Sequence, residues 1–74
     1  MDAQTIGNNA GKVWRLLDHN RKWEYNELKE ATGLSDRDLN AAIGWLARED
    51  KIQFETSQVD GHDYLYLELN LYIG

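Results

Sequence analysis

The chain has 74 residues, of which 42% are hydrophobic and 28% charged, and its formal net charge is −5. This length suits one small domain over residues 1–74, with a core near the lower limit for independent stability. Cysteine is absent, which excludes a disulfide framework and a thiolate zinc site, so pairing with a second chain is the remaining way to supplement the core.

The apolar runs are too short for a transmembrane helix. The segment from Met1 to Gln4 has neither the basic start nor the apolar stretch of a signal peptide. We therefore expect a cytoplasmic protein.

A first helix is predicted from a cap at Thr5 to an end near His19 and Asn20. Its apolar side chains recur at spacings of four, three and four, as one helix face requires. They are Ile6, Ala10, Val13 and Leu17, with Trp14 and Leu16 beside them.

Residues 21–25 alternate polar and aromatic side chains, which predicts a short strand. A brief second helix follows, with Asn26 as its cap and with Leu28 and Ala31 facing inward. Gly33 supplies the positive φ of a helix stop.

The third helix is predicted from Asp36 to about Glu49, with Ser35 as its cap and Asp38 three residues later, as in a capping box. Its apolar face consists of Leu39, Ala42, Ile43 and Leu46. Residues 51–55 then alternate with period two and predict a strand, and Asp60-Gly61 signals a tight turn.

The last strand is predicted to be half-buried, because it alternates apolar and polar side chains. One face carries Leu65, Leu67, Leu69, Leu71 and Ile73, and the other carries Tyr64, Tyr66, Glu68, Asn70 and Tyr72. The whole predicted core is Ile6, Ala10, Val13, Leu17, Leu28, Leu34, Leu39, Ile43, Leu46, Ile52, Phe54, Leu65, Leu67 and Leu69.

The element order helix, strand, helix, helix, strand, strand predicts an α+β fold, a winged helix-turn-helix with a small antiparallel sheet. The chain also resembles a family of small stand-alone winged helix-turn-helix proteins of bacteria and archaea, grouped as a domain of unknown function. The segments that carry the resemblance are Ile6-Gly7-Asn8-Asn9-Ala10-Gly11-Lys12-Val13-Trp14, Ala31-Thr32-Gly33-Leu34-Ser35 and Ile43-Gly44-Trp45-Leu46-Ala47-Arg48-Glu49. The resemblance implies the fold and supplies no activity.

Charge argues against the usual role of such a fold, which is DNA binding through the third helix and the wing. Residues 1–34 hold five basic and five acidic side chains, whereas residues 35–74 hold three basic and eight acidic ones. Duplex binding normally requires several Lys or Arg contacts to phosphates. The alternative, a DNA-binding transcriptional regulator, would use helix 36–49 for recognition, with Arg37, Asn40 and Arg48 as its contacts.

The outward face of the third helix favours a protein interface, most simply that of a homodimer. Ala41 and Gly44 lie three residues apart there, and two small residues let another helix approach closely. Tryptophan, tyrosine and arginine are enriched at interface centres. The predicted interface comprises Arg37, Ala41, Gly44, Trp45, Arg48, Tyr64 and Tyr66. The alternative is that Gly44 makes room for the protein's own first helix or N-terminus and that Trp45 packs at the edge of the core.

Catalysis is not expected. The two histidines, His19 and His62, are far apart, and Ser35 is better explained as a helix cap. Asp60, His62 and Asp63 are weak metal candidates, because a hairpin turn already explains Asp60-Gly61. We predict no cofactor, no small-molecule ligand and a non-catalytic interaction module.

Overall fold

A computed structural model of the chain describes residues 1–18 and 21–71. Within these ranges, three helices pack against one face of a three-stranded antiparallel sheet. The elements are α1 (Ala3–Leu17), β1 (Trp23–Glu24), α2 (Tyr25–Thr32), α3 (Asp36–Arg48), β2 (Ile52–Val59) and β3 (His62–Leu69). The predicted α+β order of elements is confirmed.

Helix α1 begins earlier than predicted. Asp2, not Thr5, is the N-cap, and its carboxylate accepts a hydrogen bond of 2.8 Å from the backbone N–H of Thr5. A carboxylate at this position also interacts favourably with the positive end of the helix dipole. The hydrogen bonds from Thr5, the backbone one first, hold the pKa of Asp2 below its usual value. The helix ends at Leu17 with Asp18 as its C-cap, and the predicted stop at His19 and Asn20 lies outside the described residues.

Helix α2 also begins earlier than predicted, because Glu24 replaces Asn26 as the cap. The Glu24 carboxylate accepts from the N–H of Asn26, and the Glu27 side chain accepts from the N–H of Glu24, which completes a capping box. Tyr25 is therefore helical rather than extended. Ala31, predicted to face inward, is exposed.

The turn between α2 and α3 follows the prediction. Gly33 ends α2 with φ of +70°, a conformation that glycine adopts without the steric cost of a side chain. Ser35 caps α3 and accepts from the N–H of Asp38 at 3.2 Å. The helix ends at Arg48, one residue before the predicted Glu49.

Strand β3 lies at the centre of the sheet, with β1 on one side and β2 on the other. Trp23 pairs with Leu67, and β2 pairs with β3 from Ile52↔Leu69 to Val59↔His62. The strand β2 thus extends four residues beyond its predicted end.

The hairpin of β2 and β3 forms the wing. Asp60 and Gly61 both have positive φ, +51° and +79°, as a two-residue turn of type I′ requires. The Asp-Gly turn prediction is confirmed. Leu71, predicted to continue the apolar face of the last strand, lies beyond β3 and is 70% exposed. The predicted continuation at Tyr72 and Ile73 lies outside the described residues.

The core lies between the helices and the sheet, and it matches most of the predicted set. The buried hydrophobic residues are Ala10, Val13, Leu17, Leu28, Leu39, Ala42, Ile43, Leu46, Ile52 and Leu67. The predicted core residues Leu34, Leu65 and Leu69 are partly buried against this cluster, and Ile6 is half-buried.

Phe54 is the clear error in the predicted core. It lies on the same face of the sheet as buried Ile52 and Leu67, yet its side chain is 47% exposed. The strand β2 is at the edge of the sheet and has a neighbour on one side only. Burial therefore ends at Ile52, where the strand leaves the helices to form the wing.

We expect Leu67→Ala to lower the free energy of unfolding by about 2–5 kcal/mol, because it opens a cavity at a fully buried position of the central strand. Leu71→Ala removes the same atoms from an exposed position and should change stability by less than about 0.5 kcal/mol. Urea denaturation of both variants at one fixed protein concentration tests this difference. Equal losses in the two variants would contradict the assignment of the core.

Candidate functional site

The surface of α3 that points away from the core contains five of the predicted interface residues. At 100° per residue, Arg37, Gly44 and Arg48 lie opposite buried Leu39. These three residues are exposed, and Ala41 is half-buried. We name this surface the α3 face: Arg37, Ala41, Gly44, Trp45 and Arg48.

Gly44 does not make room for any other part of the described chain. A Cβ placed on Gly44 would have no atom within 4 Å, so the interpretation that the glycine accommodates α1 is wrong. Glycine inside a helix costs about 1 kcal/mol relative to alanine. No contact among the described residues requires a glycine at this position, so none compensates for this cost.

Trp45 borders a shallow groove between α3 and α1. Gly7 and Gly11 lie one turn apart on α1, and they line this groove together with Trp14 and Lys51. Trp45 therefore packs beside α1, as one interpretation of the sequence expects, yet its side chain remains 44% exposed. A large aromatic surface is thus available next to the open backbone of Gly44.

Asn40, on the other flank of α3, is exposed and contacts a side chain of α2. Its side-chain oxygen lies 2.8 Å from the hydroxyl of Tyr25, which also lies 2.9 Å from the Asp36 carboxylate. Lys29 donates to the same carboxylate at 3.1 Å. This network joins α2 to α3, and it engages the one neutral side chain predicted to read a base.

The same network sets two pKa values in predictable directions. The hydrogen bond from Lys29, followed by the one from Tyr25, lowers the pKa of Asp36 because both stabilise the carboxylate. Partial burial, followed by the bond to Asp36, raises the pKa of Tyr25. The hydroxyl therefore stays protonated and able to donate.

Tyr64 and Tyr66 lie on a different surface from the α3 face. Strand alternation places them on the face of the sheet opposite Leu67, and therefore away from the helices. Both are partly buried. On that outer face Lys22 reaches across the sheet to Glu55 at 2.7 Å. The structure thus divides the predicted interface between two surfaces.

The two arginines of the α3 face form no ion pair among the described residues, whereas most cations in the first half of the chain do. Arg21, Lys22 and Lys29 each form an ion pair. Arg37 and Arg48 are exposed and form none within residues 1–18 and 21–71. These two arginines are therefore solvated and are not paired with the acids that neighbour them in sequence.

Sequence reasoning missed the contribution of α1 to the groove. Trp14 was predicted to widen the apolar stripe of the first helix, but its side chain is 38% exposed. The Lys51 ammonium lies 5.7 Å from the centre of its ring, within the range of a cation–π contact. The available signal was the pair Gly7 and Gly11, four residues apart and adjacent to Trp14 on the helix surface.

Two negative findings concern the described part of the chain alone. No group of three or more His, Asp or Glu side chains in it is placed to hold a metal ion, and this applies to Asp60, His62 and Asp63. Nor is any helix in it long and apolar enough to cross a membrane.

The fold and the exposed α3 face define the chain as a winged helix-turn-helix domain, a class that is generally non-catalytic. The chain belongs to the winged helix-turn-helix domain family DUF2582, whose family model matches residues 1–67. It is also 41% identical over 49 residues to the uncharacterized protein MJ1608 of Methanocaldococcus jannaschii, a match that covers 64% of this chain and 70% of that protein. The recognition made from the sequence segments is confirmed, and the relative's name assigns no function.

We expect Gly44→Ala to stabilise the monomeric chain by about 0.5–1 kcal/mol, because alanine is the better helix former and its Cβ meets open space. Gly33→Ala should destabilise it, since φ at Gly33 is +70°. Thermal unfolding at low protein concentration measures both changes. If Gly44→Ala is destabilising even at high dilution, the backbone of Gly44 is covered by the chain itself.

Proposed function

We propose that this protein is a non-catalytic interaction module that forms a homodimer through the α3 face. The observation that carries the proposal is Trp45, which is 44% exposed beside a glycine whose backbone nothing in the described chain covers. Tryptophan is among the residues most enriched at interface centres. The close approach that Gly44 permits would bring the helix of a second copy against this ring.

The charges of the α3 face are compatible with a two-fold pair. Antiparallel α3 helices that cross between Ala41 and Gly44 place Arg37 of one copy near Arg48 of the second copy. Each arginine is flanked in sequence by acids, Asp38 beside Arg37 and Glu49 beside Arg48. Each guanidinium can therefore turn to an acid of the second copy, so one sequence supplies both charges. This pairing requires arginines that form no ion pair within the monomer, and among residues 1–18 and 21–71 they form none.

Tyr64 and Tyr66 are not part of this dimer surface. The alternation of β3 directs them to the far face of the sheet, so a dimer through α3 leaves them outside the contact. The groove beside Trp45, lined by Gly7, Gly11 and Trp14, takes their place in the proposal. It extends the apolar part of the interface from α3 onto α1.

We expect the wild-type chain to have the mass of a dimer in solution and to lose mass on dilution, because association follows mass action. Gly44→Glu should remain folded and monomeric, since glutamate favours a helix more than glycine does and its side chain points into open space. Light scattering over a dilution series at about 0.15 M ionic strength measures the mass. Circular dichroism confirms that the variant is folded.

Ala31→Glu is the matched control, because Ala31 is also an exposed helix residue but lies beside Lys12 and Arg15, in the groove between α1 and α2. It adds the same charge and should leave the dimer intact. A wild type that is monomeric at every concentration contradicts the proposal. So does a Gly44→Glu variant that dimerises as well as wild type.

DNA binding is the second candidate, and one observation favours it. Arg37 and Arg48 are exposed, free of ion pairs among the described residues, and on the side of α3 that enters the major groove in winged helix-turn-helix proteins. Against it, the segment from Thr56 to Asp63 contains two aspartates and neither Lys nor Arg. Phosphate neutralisation supplies most of the affinity for a duplex, and the wing cannot provide it. Asn40, the third predicted contact, is engaged by Tyr25.

We therefore expect no measurable binding of a random-sequence duplex at about 0.15 M salt in fluorescence anisotropy. Binding that weakens with salt, with a slope reduced by about 0.9 in Arg48→Ala, would favour the DNA candidate instead. Lys12→Ala is the control, because Lys12 is an exposed cation on α1. It should leave that slope unchanged if α3 contacts the duplex.

A further inference from the structure

The outer edge of β2 carries backbone groups that no described residue pairs with. The bond of 2.9 Å from the N–H of Asn70 to the carbonyl of Lys51 fixes the phase of the β2–β3 ladder. In an antiparallel ladder, hydrogen-bonded pairs recur at every second residue. Glu55 and Ser57 therefore bond to β3, whereas the N–H and C=O groups of Phe54, Thr56 and Gln58 point away from it.

This edge lacks the usual devices that prevent strand addition. Proteins protect exposed edges with lysine, proline, bulges or very short strands. The strand β2 is eight residues long, contains neither lysine nor proline, and keeps an unbroken register with β3 along its whole length. Phe54 and Val59 are exposed on its two faces, at 47% and 51%. Such an edge is a template for an additional strand.

Charge distinguishes between the possible occupants of the edge. Residues 52–69 contain four acidic side chains and no Lys or Arg. Pairing β2 with β2 of a second copy would bring two acidic hairpins together, and like charges across an interface oppose association. A strand that carries cations would instead complement Asp60 and Asp63 near the tip, and also the carboxylate of Glu55 on the outer face of the sheet, one oxygen of which already accepts from Lys22. The face toward the helices offers Phe54 and partly buried Leu65 to apolar side chains.

We propose that the free edge of β2 binds an extended segment of another protein in which apolar residues alternate with Lys or Arg. The backbone of that segment pairs with Phe54, Thr56 and Gln58 as a fourth strand of the sheet. Its apolar side chains lie over Phe54, and its cations face Glu55. The site is separate from the α3 face, so it does not depend on the proposed homodimer.

The test uses the full chain labelled with ¹⁵N and a peptide of four Val-Lys repeats with blocked termini. Amide hydrogen exchange reports on each backbone N–H separately. At about 90% occupancy, exchange of the Phe54, Thr56 and Gln58 amides should slow by about tenfold, because they exchange only from the free state. In the free protein these three amides should exchange faster than those of Glu55 and Ser57, which are already bonded to β3. A peptide of four Val-Glu repeats should have no effect.

Two further comparisons separate strand addition from general attraction between charges. The Val-Lys peptide methylated on the nitrogens of alternate residues keeps its charge but loses strand donors, and it should not bind. Glu55→Gln should weaken binding of the unmodified peptide about twofold to fivefold. Glu30→Gln, which neutralises an exposed acid on α2, should leave it unchanged.

Several outcomes would overturn the proposal. These are equal binding of the Val-Glu peptide, equal binding of the methylated peptide, and absence of protection at Phe54, Thr56 and Gln58 when the peptide is saturating. Protection of these amides without peptide, increasing with protein concentration, would assign the edge to a second copy of the chain. Loss of the dimer in Gly44→Glu with peptide binding retained would leave this proposal standing. A wild-type chain that dimerises and loses its dimer in Gly44→Glu, but does not bind the Val-Lys peptide, would overturn this proposal and leave the homodimer standing.

Discussion

Packing of the helices on the central strand is the contact on which the rest of the molecule depends. Leu67 is fully buried at the middle of β3, with Trp23 of β1 and Phe54 of β2 as its neighbours in the ladder. The strand β1 contributes only two residues to the sheet. A sheet this small is stable only when one face is covered. Helices α1 and α2 therefore pack against β3, and α3 packs against α1 and β2.

Because the apolar faces of the helices are buried in the core, functional surfaces can occur only on the other faces of these elements. The apolar stripe of α3 packs in the core. The side chains that α3 exposes outward are therefore those of the α3 face. The strand β2 is anchored by buried Ile52, and its remaining residues extend past the helices as the wing. Exposed aromatic surface at Trp45 and Phe54 therefore lies just outside the core, where contact with another molecule can still remove it from water.

Most of the fold could be predicted from the sequence because local signals and burial agree. Gly33 and Ser35 delimit the helix-turn-helix by backbone chemistry alone, and the Asp60-Gly61 turn sets the wing. The helix starts were harder, because several capping residues stood close together. Asp2 and Glu24 prevailed over Thr5 and Asn26 by adding a favourable charge at the helix N-terminus. Such competition between neighbouring caps depends on geometry that a one-dimensional pattern does not contain.

The candidate site was less predictable, for reasons of topology. Exposure of Gly44 follows from helix periodicity, but that no described residue lies over it depends on where α1 lies. Alternation along the last strand correctly grouped Tyr64 with Tyr66. It could not indicate that their face of the sheet is turned away from α3. Phe54 shows the same limit, since period two assigns it a face of the sheet but not the point along the strand at which the helices cease to cover it.

The distribution of ion pairs governs how any partner can approach. Lys22 and Lys29 form ion pairs with Glu55 and Asp36. Among the described residues, Arg37 and Arg48 of the α3 face form none, on a protein of net charge −5. Exposed pairs contribute little affinity, typically below about 1 kcal/mol, whereas complementary potentials orient an encounter and exclude wrong partners. The free energy of association must then come mainly from burying Trp45 and its groove, and the two arginines select which surface is brought against them. A duplex offers phosphates to the arginines but no apolar surface to the tryptophan. A second copy of the chain offers carboxylates to the arginines and apolar surface to the tryptophan, and for this reason we propose a protein partner rather than DNA for the α3 face.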